Sequence, residues 1–106
     1  MLLNTVWRQY NKENNFRKLL AQFCKMEIES LIEDDKVLYA TLKSKLTKRE
    51  LKLFAMDSAQ LTNEELKAGL ELDDEELEKA KYKLYKKLKQ DKVRLNFRES
   101  ALGFDA

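Results

Sequence analysis

Along the first third of the chain, apolar residues recur at helical spacing. Leu3, Val6, Trp7 and Tyr10 fall at i, i+3, i+4 and i+7, and Phe16, Leu19, Leu20 and Phe23 repeat the stripe in a new phase after the polar run Asn11 to Asn15. The phase change predicts a short first helix and then a longer one from about Asn15 to Glu33, capped by Asn14 or Asn15 and continued by Ile28, Leu31 and Ile32. Asp34 and Asp35 open a third helix. Leu38, Tyr39 and Leu42 would face inward, and Lys43 and Lys45 would sit by its last carbonyls, where the backbone dipole favours cations.

A second pattern organises the rest. Leu, then Thr or Asp, two spacers, Glu and Leu occur at Leu46-Thr47-Lys48-Arg49-Glu50-Leu51, Leu61-Thr62-Asn63-Glu64-Glu65-Leu66 and Leu72-Asp73-Asp74-Glu75-Glu76-Leu77. In each, the Thr or Asp side chain can accept from the amide three residues on. The Glu there can accept in return, and the flanking leucines can clamp together, so each copy is a helix start. Helices are predicted at about 47–57, 62–69 and 73–91, the last with Leu77, Leu84 and Leu88 on its inner stripe. The short gap between the second and third starts leaves room for a brief helix and a tight turn, the outline of a helix-turn-helix. Beyond Asp91, Val93, Leu95 and Phe97 alternate with Arg94, Asn96 and Arg98. That alternation fits either a fraying end that runs into a tail or an extended arm that pairs with a second chain. The division expected is an N-terminal helical extension over 1–45, packing on or extending from the bundle, a helix-turn-helix module over 46–91, and a tail or arm over 92–106.

With 106 residues, the chain is large enough for one modest core. The residues are 43% hydrophobic and 38% charged, with no Pro and two Gly, a mixture that favours helix and supplies few strand or turn signals. The expected fold class is therefore all-α, a small helical bundle. There is no His and a single Cys, Cys24, so the chain alone assembles neither a disulfide, nor the usual zinc sites, nor Ser-His or Cys-His nucleophilic machinery. An enzyme, a catalytic residue, a metal and a cofactor are not expected. Cys24, beside Phe23 in an apolar stretch, reads as a small buried hydrophobe. No run approaches the ~20 apolar residues of a membrane span, and the start lacks a basic n-region, so the expectation is a cytoplasmic protein with no membrane partner.

From Leu46 to Leu88, without a gap, the chain resembles the helix-turn-helix of LuxR-type transcription regulators and, more loosely, region 4 of bacterial sigma factors. Leu46-Thr47-Lys48-Arg49-Glu50 stands at the family's first helix start, and Leu61-Thr62-Asn63-Glu64-Glu65-Leu66 at its second. Leu70 and Leu72 form the apolar pair across the turn, and Lys87-Leu88 ends the third helix. Residues 1–45 are too short for a receiver or ligand-sensing domain. The resemblance implies a transcription regulator that contacts duplex DNA as a homodimer. Three positions depart from the pattern: Lys67 replaces a small residue, Glu71 replaces the turn Gly, and the third helix opens Asp73-Asp74-Glu75-Glu76-Leu77-Glu78 where the family has small or basic residues. Glu adopts the turn's positive φ only at a cost, and carboxylates at a helix start repel phosphates.

Two functional classes follow. As a DNA-binding module, the chain would hold the phosphate backbone with Lys79, Lys81, Tyr82, Lys83, Lys86 and Arg94. The lysines also have a plain structural reading, since cations near a helix end complement its dipole and pair with acids such as Glu75 one turn back. As a non-DNA-binding adaptor on the transcription machinery or on itself, it would use Trp7, Tyr10, Asp74, Glu75, Glu78 and Phe97 as interface residues. A basic face joining Lys79 to Arg94 with the acids turned away favours DNA; an acidic face at the helix start favours the adaptor.

Overall fold

The computed structural model describes residues 9–11 and 14–98, and over these the chain is an all-α bundle. Its elements are α1 (Asn15–Cys24), α2 (Asp35–Lys45), α3 (Lys48–Ser58), α4 (Asn63–Leu70), α5 (Asp74–Lys89) and α6 (Asp91–Arg94), with 3-10 turns at Ile28–Ser30 and Leu95–Phe97. No helix among the described residues is long and apolar enough to cross a membrane.

Local chemistry sets the helix starts. Thr47, Thr62 and Asp73 each accept from the amide three residues on, and Glu50, Glu65 and Glu76 each accept from the cap's own amide, completing three capping boxes. Each cap contributes about 1 kcal/mol to its helix. The leucines beside the boxes go inward: Leu46, Leu51, Leu66 and Leu77 are buried, and Leu61 and Leu72 pack against the core. Asp34 caps α2 through the amides of Lys36 and Val37. At α1 the expected cap is replaced. Asn14 sits in the left-handed region at φ 62 with no side-chain bond, and the Phe16 amide donates instead to Asn11 Oδ1 at 3.1 Å.

Helix ends are less legible, and the helix expected over 15–33 stops at Cys24. Lys25 turns to φ 56, and the Met26 amide closes back on the Ala21 carbonyl at 3.1 Å, the bond of a Schellman cap. Gln60 at φ 63 and Glu71 at φ 57 end α3 and α4 in the same way, through Leu61 N–H to Met56 O and Leu72 N–H to Lys67 O. None of these positions is Gly, the residue that usually marks such an end. Gly69 leaves room for a neighbouring side chain instead: a Cβ there would come within 2.6 Å of Met56 Cε, the movable tip of that residue.

One core joins all the helices. Phe16, Leu20, Leu42, Phe54, Leu66, Leu84, Leu88 and Phe97 are fully buried, and the Phe16 ring meets Phe54 edge-on at 5.4 Å. α1 lies against both α3 and α5, so residues 15–45 share one core with α3, α4 and α5. Arg17, a residue the periodicity does not single out, ties the α1–α2 link down by donating to the Ile32 and Glu33 carbonyls and pairing with Asp35 at 2.6 Å.

Of the expected tail or arm over 92–106, residues 99–106 lie outside the described residues; residues 92–97 are helical turns and Arg98 is extended. The spacing of Val93 and Phe97, both buried, is the i, i+4 of α6 and its 3-10 continuation, which folds back on α2. Ile32 N–H donates to Phe97 O at 2.9 Å, and Leu31 and Arg98 form an isolated antiparallel bridge.

Candidate functional site

α5 follows α4 across the turn 71–73, which its neighbours hold from below. Arg49 donates to the Leu70 carbonyl at 2.6 Å and Lys52 to the Gly69 carbonyl at 3.1 Å, so the orphan acceptors at the end of α4 meet cations from α3. Leu77, Leu84 and Leu88 commit one stripe of α5 to the core. The opposite stripe is Glu75, Glu78, Lys79, Tyr82, Lys83, Lys86 and Lys89, all exposed and at i, i+3, i+4 spacing.

Charge on this face is divided along the helix axis, not between faces. The acids occupy the first turns and the lysines everything after Glu78, so the acids are not turned away from the lysines. Several acids are already engaged. Asp73 and Glu76 close the capping box, and Asp74 pairs with Lys67 at 2.7 Å, which also holds Glu64 at 3.1 Å.

Not every lysine is available either. Lys87 donates to Glu50 at 2.7 Å. Burial alone would raise the Glu50 carboxyl, but the bonds from Lys87 and from the Thr47 amide and hydroxyl outweigh it and hold the group below its ordinary value. Lys81 lies 3.4 Å from Asn63 Oδ1 and 3.8 Å from an Asp57 oxygen. Arg94 is a clamp, not a member of the row: it pairs with Asp91 at 2.8 Å and donates to the Cys24 carbonyl at 2.9 Å, closing the end of α1. Among the described residues, no carboxylate lies within 4.0 Å of Lys79, Lys83, Lys86 or Lys89. These four are the free cations of α5.

Aromatic rings interleave them. Phe23, delivered by α1, stacks on Tyr85 with centroids 4.0 Å apart and planes 5° from parallel. The Tyr85 hydroxyl donates to the Asp57 carboxylate, and burial, reinforced by that bond, pushes it well above the usual phenol range, so the ring is neutral and fixed. Tyr82 stands clear at 67% exposure with Lys86 5.6 Å from its centroid, and Lys89 lies 5.9 Å from that of Phe23. A surface hollow of about 520 Å³ is lined by Phe23, Lys81, Tyr82, Tyr85, Lys86 and Lys89. On the other side of Tyr82, a hollow of about 420 Å³ is lined by Glu78, Lys79 and Lys83 as well as the tyrosine.

The remaining sequence candidates scatter. Trp7 lies outside the described residues. Tyr10 is half-buried, and its carbonyl accepts from Asn15 Nδ2 at 2.8 Å, which also donates to Ser58 at 2.9 Å. Phe97 is fully buried and presents no surface to a partner, because the fold-back of α6 uses its ring as core. Asp74, Glu75 and Glu78 remain exposed at the head of α5. Cys24 is buried, its thiol directed at the Leu88 carbonyl and pushed up to about 12 by burial, against a smaller opposing pull from Arg94. Phe23, which completes the aromatic row, was readable only as one more apolar residue in the stripe of α1. No protein family, curated protein or solved structure matches this chain.

Proposed function

We propose that the chain is a helix-turn-helix regulator of transcription that holds nucleic-acid phosphates with the lysine half of α5 and does not read the major groove with that helix's first turn. The observation that carries this reading is the exposed row Lys79, Lys83, Lys86 and Lys89, free of carboxylate partners among the described residues and interleaved with Tyr82. The register of α3, α4 and α5 with the LuxR-type pattern supports it. Each phosphate neutralised releases condensed counterions, so four lysine contacts give a slope of log K against log salt of about −3 to −4. Anisotropy of a labelled duplex, started at about 50 mM salt and titrated upward, measures that slope. Replacing Lys79, Lys83 and Lys86 by Ala is expected to weaken binding evenly across sequences and flatten the slope; a flat isotherm at low salt refutes the reading.

A protein-binding adaptor is favoured by the division of charge along α5: Glu75 and Glu78 form an exposed acidic face at its head with no cation within 4.0 Å among the described residues, and Arg94, held by Asp91 and the Cys24 carbonyl, does not extend the lysine row. Its signature is a partner whose capture survives nuclease treatment and is lost with Glu75→Lys and Glu78→Lys. The same two changes strengthen DNA binding if the first reading holds.

A further inference from the structure

We infer that the hollow between Tyr82 and the Phe23–Tyr85 stack takes an unpaired nucleobase, so that the nucleic acid held by α5 contains a single-stranded or locally opened stretch. The inference rests on the phosphate-holding role proposed for α5 and names what that role selects. Among the described residues the rings lining the hollow are those of Phe23, Tyr82 and Tyr85, and its charged groups are the ammonium groups of Lys86, Lys89 and Lys81, the last shared with Asp57. Among the described residues no carboxylate lines it: Asp57 borders it, engaged by the Tyr85 hydroxyl and by Lys81, and Glu78 faces the hollow on the other side of Tyr82. Flat π-surface bordered by cations fits a base with its adjoining phosphate, the chemistry that single-strand binders use. A base inside a duplex is already stacked on its neighbours and offers no free face, so a ring as exposed as Tyr82 gains a stacking partner only from a base out of the helix. The hollow, at about 520 Å³, has room for one base beside the rings. Tyr85, stacked on one side and hydrogen-bonded at its tip, is a preformed wall that needs no reordering.

The test compares three labelled oligonucleotides of one sequence by anisotropy with the whole chain: a full duplex, the same duplex with a short central mismatch bubble, and the single strand. Tyr82→Ala, Tyr82→Phe and the wild type are run in parallel. Tyr82 is exposed, so none of these variants threatens the fold. The expected result is tighter binding of the bubble and the strand than of the duplex, an advantage that Tyr82→Phe keeps and Tyr82→Ala loses by roughly 5- to 150-fold. A 2-aminopurine placed in the bubble is expected to report changed stacking with wild type and Tyr82→Phe only. Equal affinity for the three, or a strand preference indifferent to Tyr82→Ala, overturns the inference and leaves the duplex reading standing. Absence of binding to every oligonucleotide at low salt overturns both.

Discussion

Glu71 is the residue on which the α4–α5 turn bends, and replacing it by Gly is expected to stabilise the protein. At φ 57 it holds a left-handed conformation that costs an L-residue roughly 1–2 kcal/mol and glycine nothing sterically. Glycine in turn loses more freedom on folding, about 0.5–1 kcal/mol. Among the described residues the Glu71 side chain makes no ion pair, so the change removes no contact beyond a mild attraction to the amino end of α5, worth a few tenths of a kcal/mol. The net gain is about 0.2–0.7 kcal/mol, which for a domain of this size raises Tm by about 1–6 °C. In urea the midpoint moves up by roughly 0.1–0.4 M at constant slope. Three variants make the test specific. Glu71→Ala keeps the Cβ and is expected to match wild type, Glu71→Val adds branching and loses stability, and Glu71→Gly alone gains. A Gly variant no more stable than the Ala variant refutes a left-handed residue at this turn.

Three further outcomes follow from the geometry. Phe97→Ala removes a fully buried ring and is expected to cost about 3–5 kcal/mol in denaturant unfolding, whereas a loss within ~0.5 kcal/mol would mean that the fold-back of α6 does not form. Because the folded Glu50 carboxyl lies below its ordinary 4.5, its bond to Lys87 stabilises the fold fully above that pH, and the contribution fades as pH falls through the lowered folded value. Lys87→Met is therefore expected to lose up to about 1 kcal/mol at neutral pH, with the gap to wild type narrowing below pH 4.5; a gap that is constant or widens on acidification contradicts the pairing. Cys24, buried and with its thiol raised to about 12, is expected to react with Ellman's reagent at pH 8 only as fast as the chain opens, and a rapid stoichiometric reaction of the native protein excludes that burial.

What was legible in the sequence is what is local. A capping box needs one side chain and two amides within four residues, so Thr47, Thr62 and Asp73 announced α3, α4 and α5 without help from the rest of the molecule. The end of α1 is local too, but its signal is normally a glycine. Here Lys25, Gln60 and Glu71 take the left-handed position, and a pattern search sees only charged and polar residues in a helix-rich chain. Phe97 misled for another reason: Val93, Leu95 and Phe97 satisfy a period of two, yet Val93 and Phe97 also satisfy i, i+4, and packing against α2 decides between the two. The lysine row was visible, but which lysines are free depends on Glu50 and Asp57, both brought by α3. The aromatic hollow depends on Phe23, which lies some sixty residues away in sequence and beside Tyr85 in space.

Titrating the 15N-labelled protein with a bubble-containing duplex and mapping amide shifts shows whether the outward lysine–tyrosine face of α5 is where the chain meets nucleic acid. Changes are expected to concentrate on residues 79–89 and at Phe23, with the amides of Glu75, Glu78 and α2 left in place. Shifts confined to the head of α5, or none at low salt, would contradict that placement.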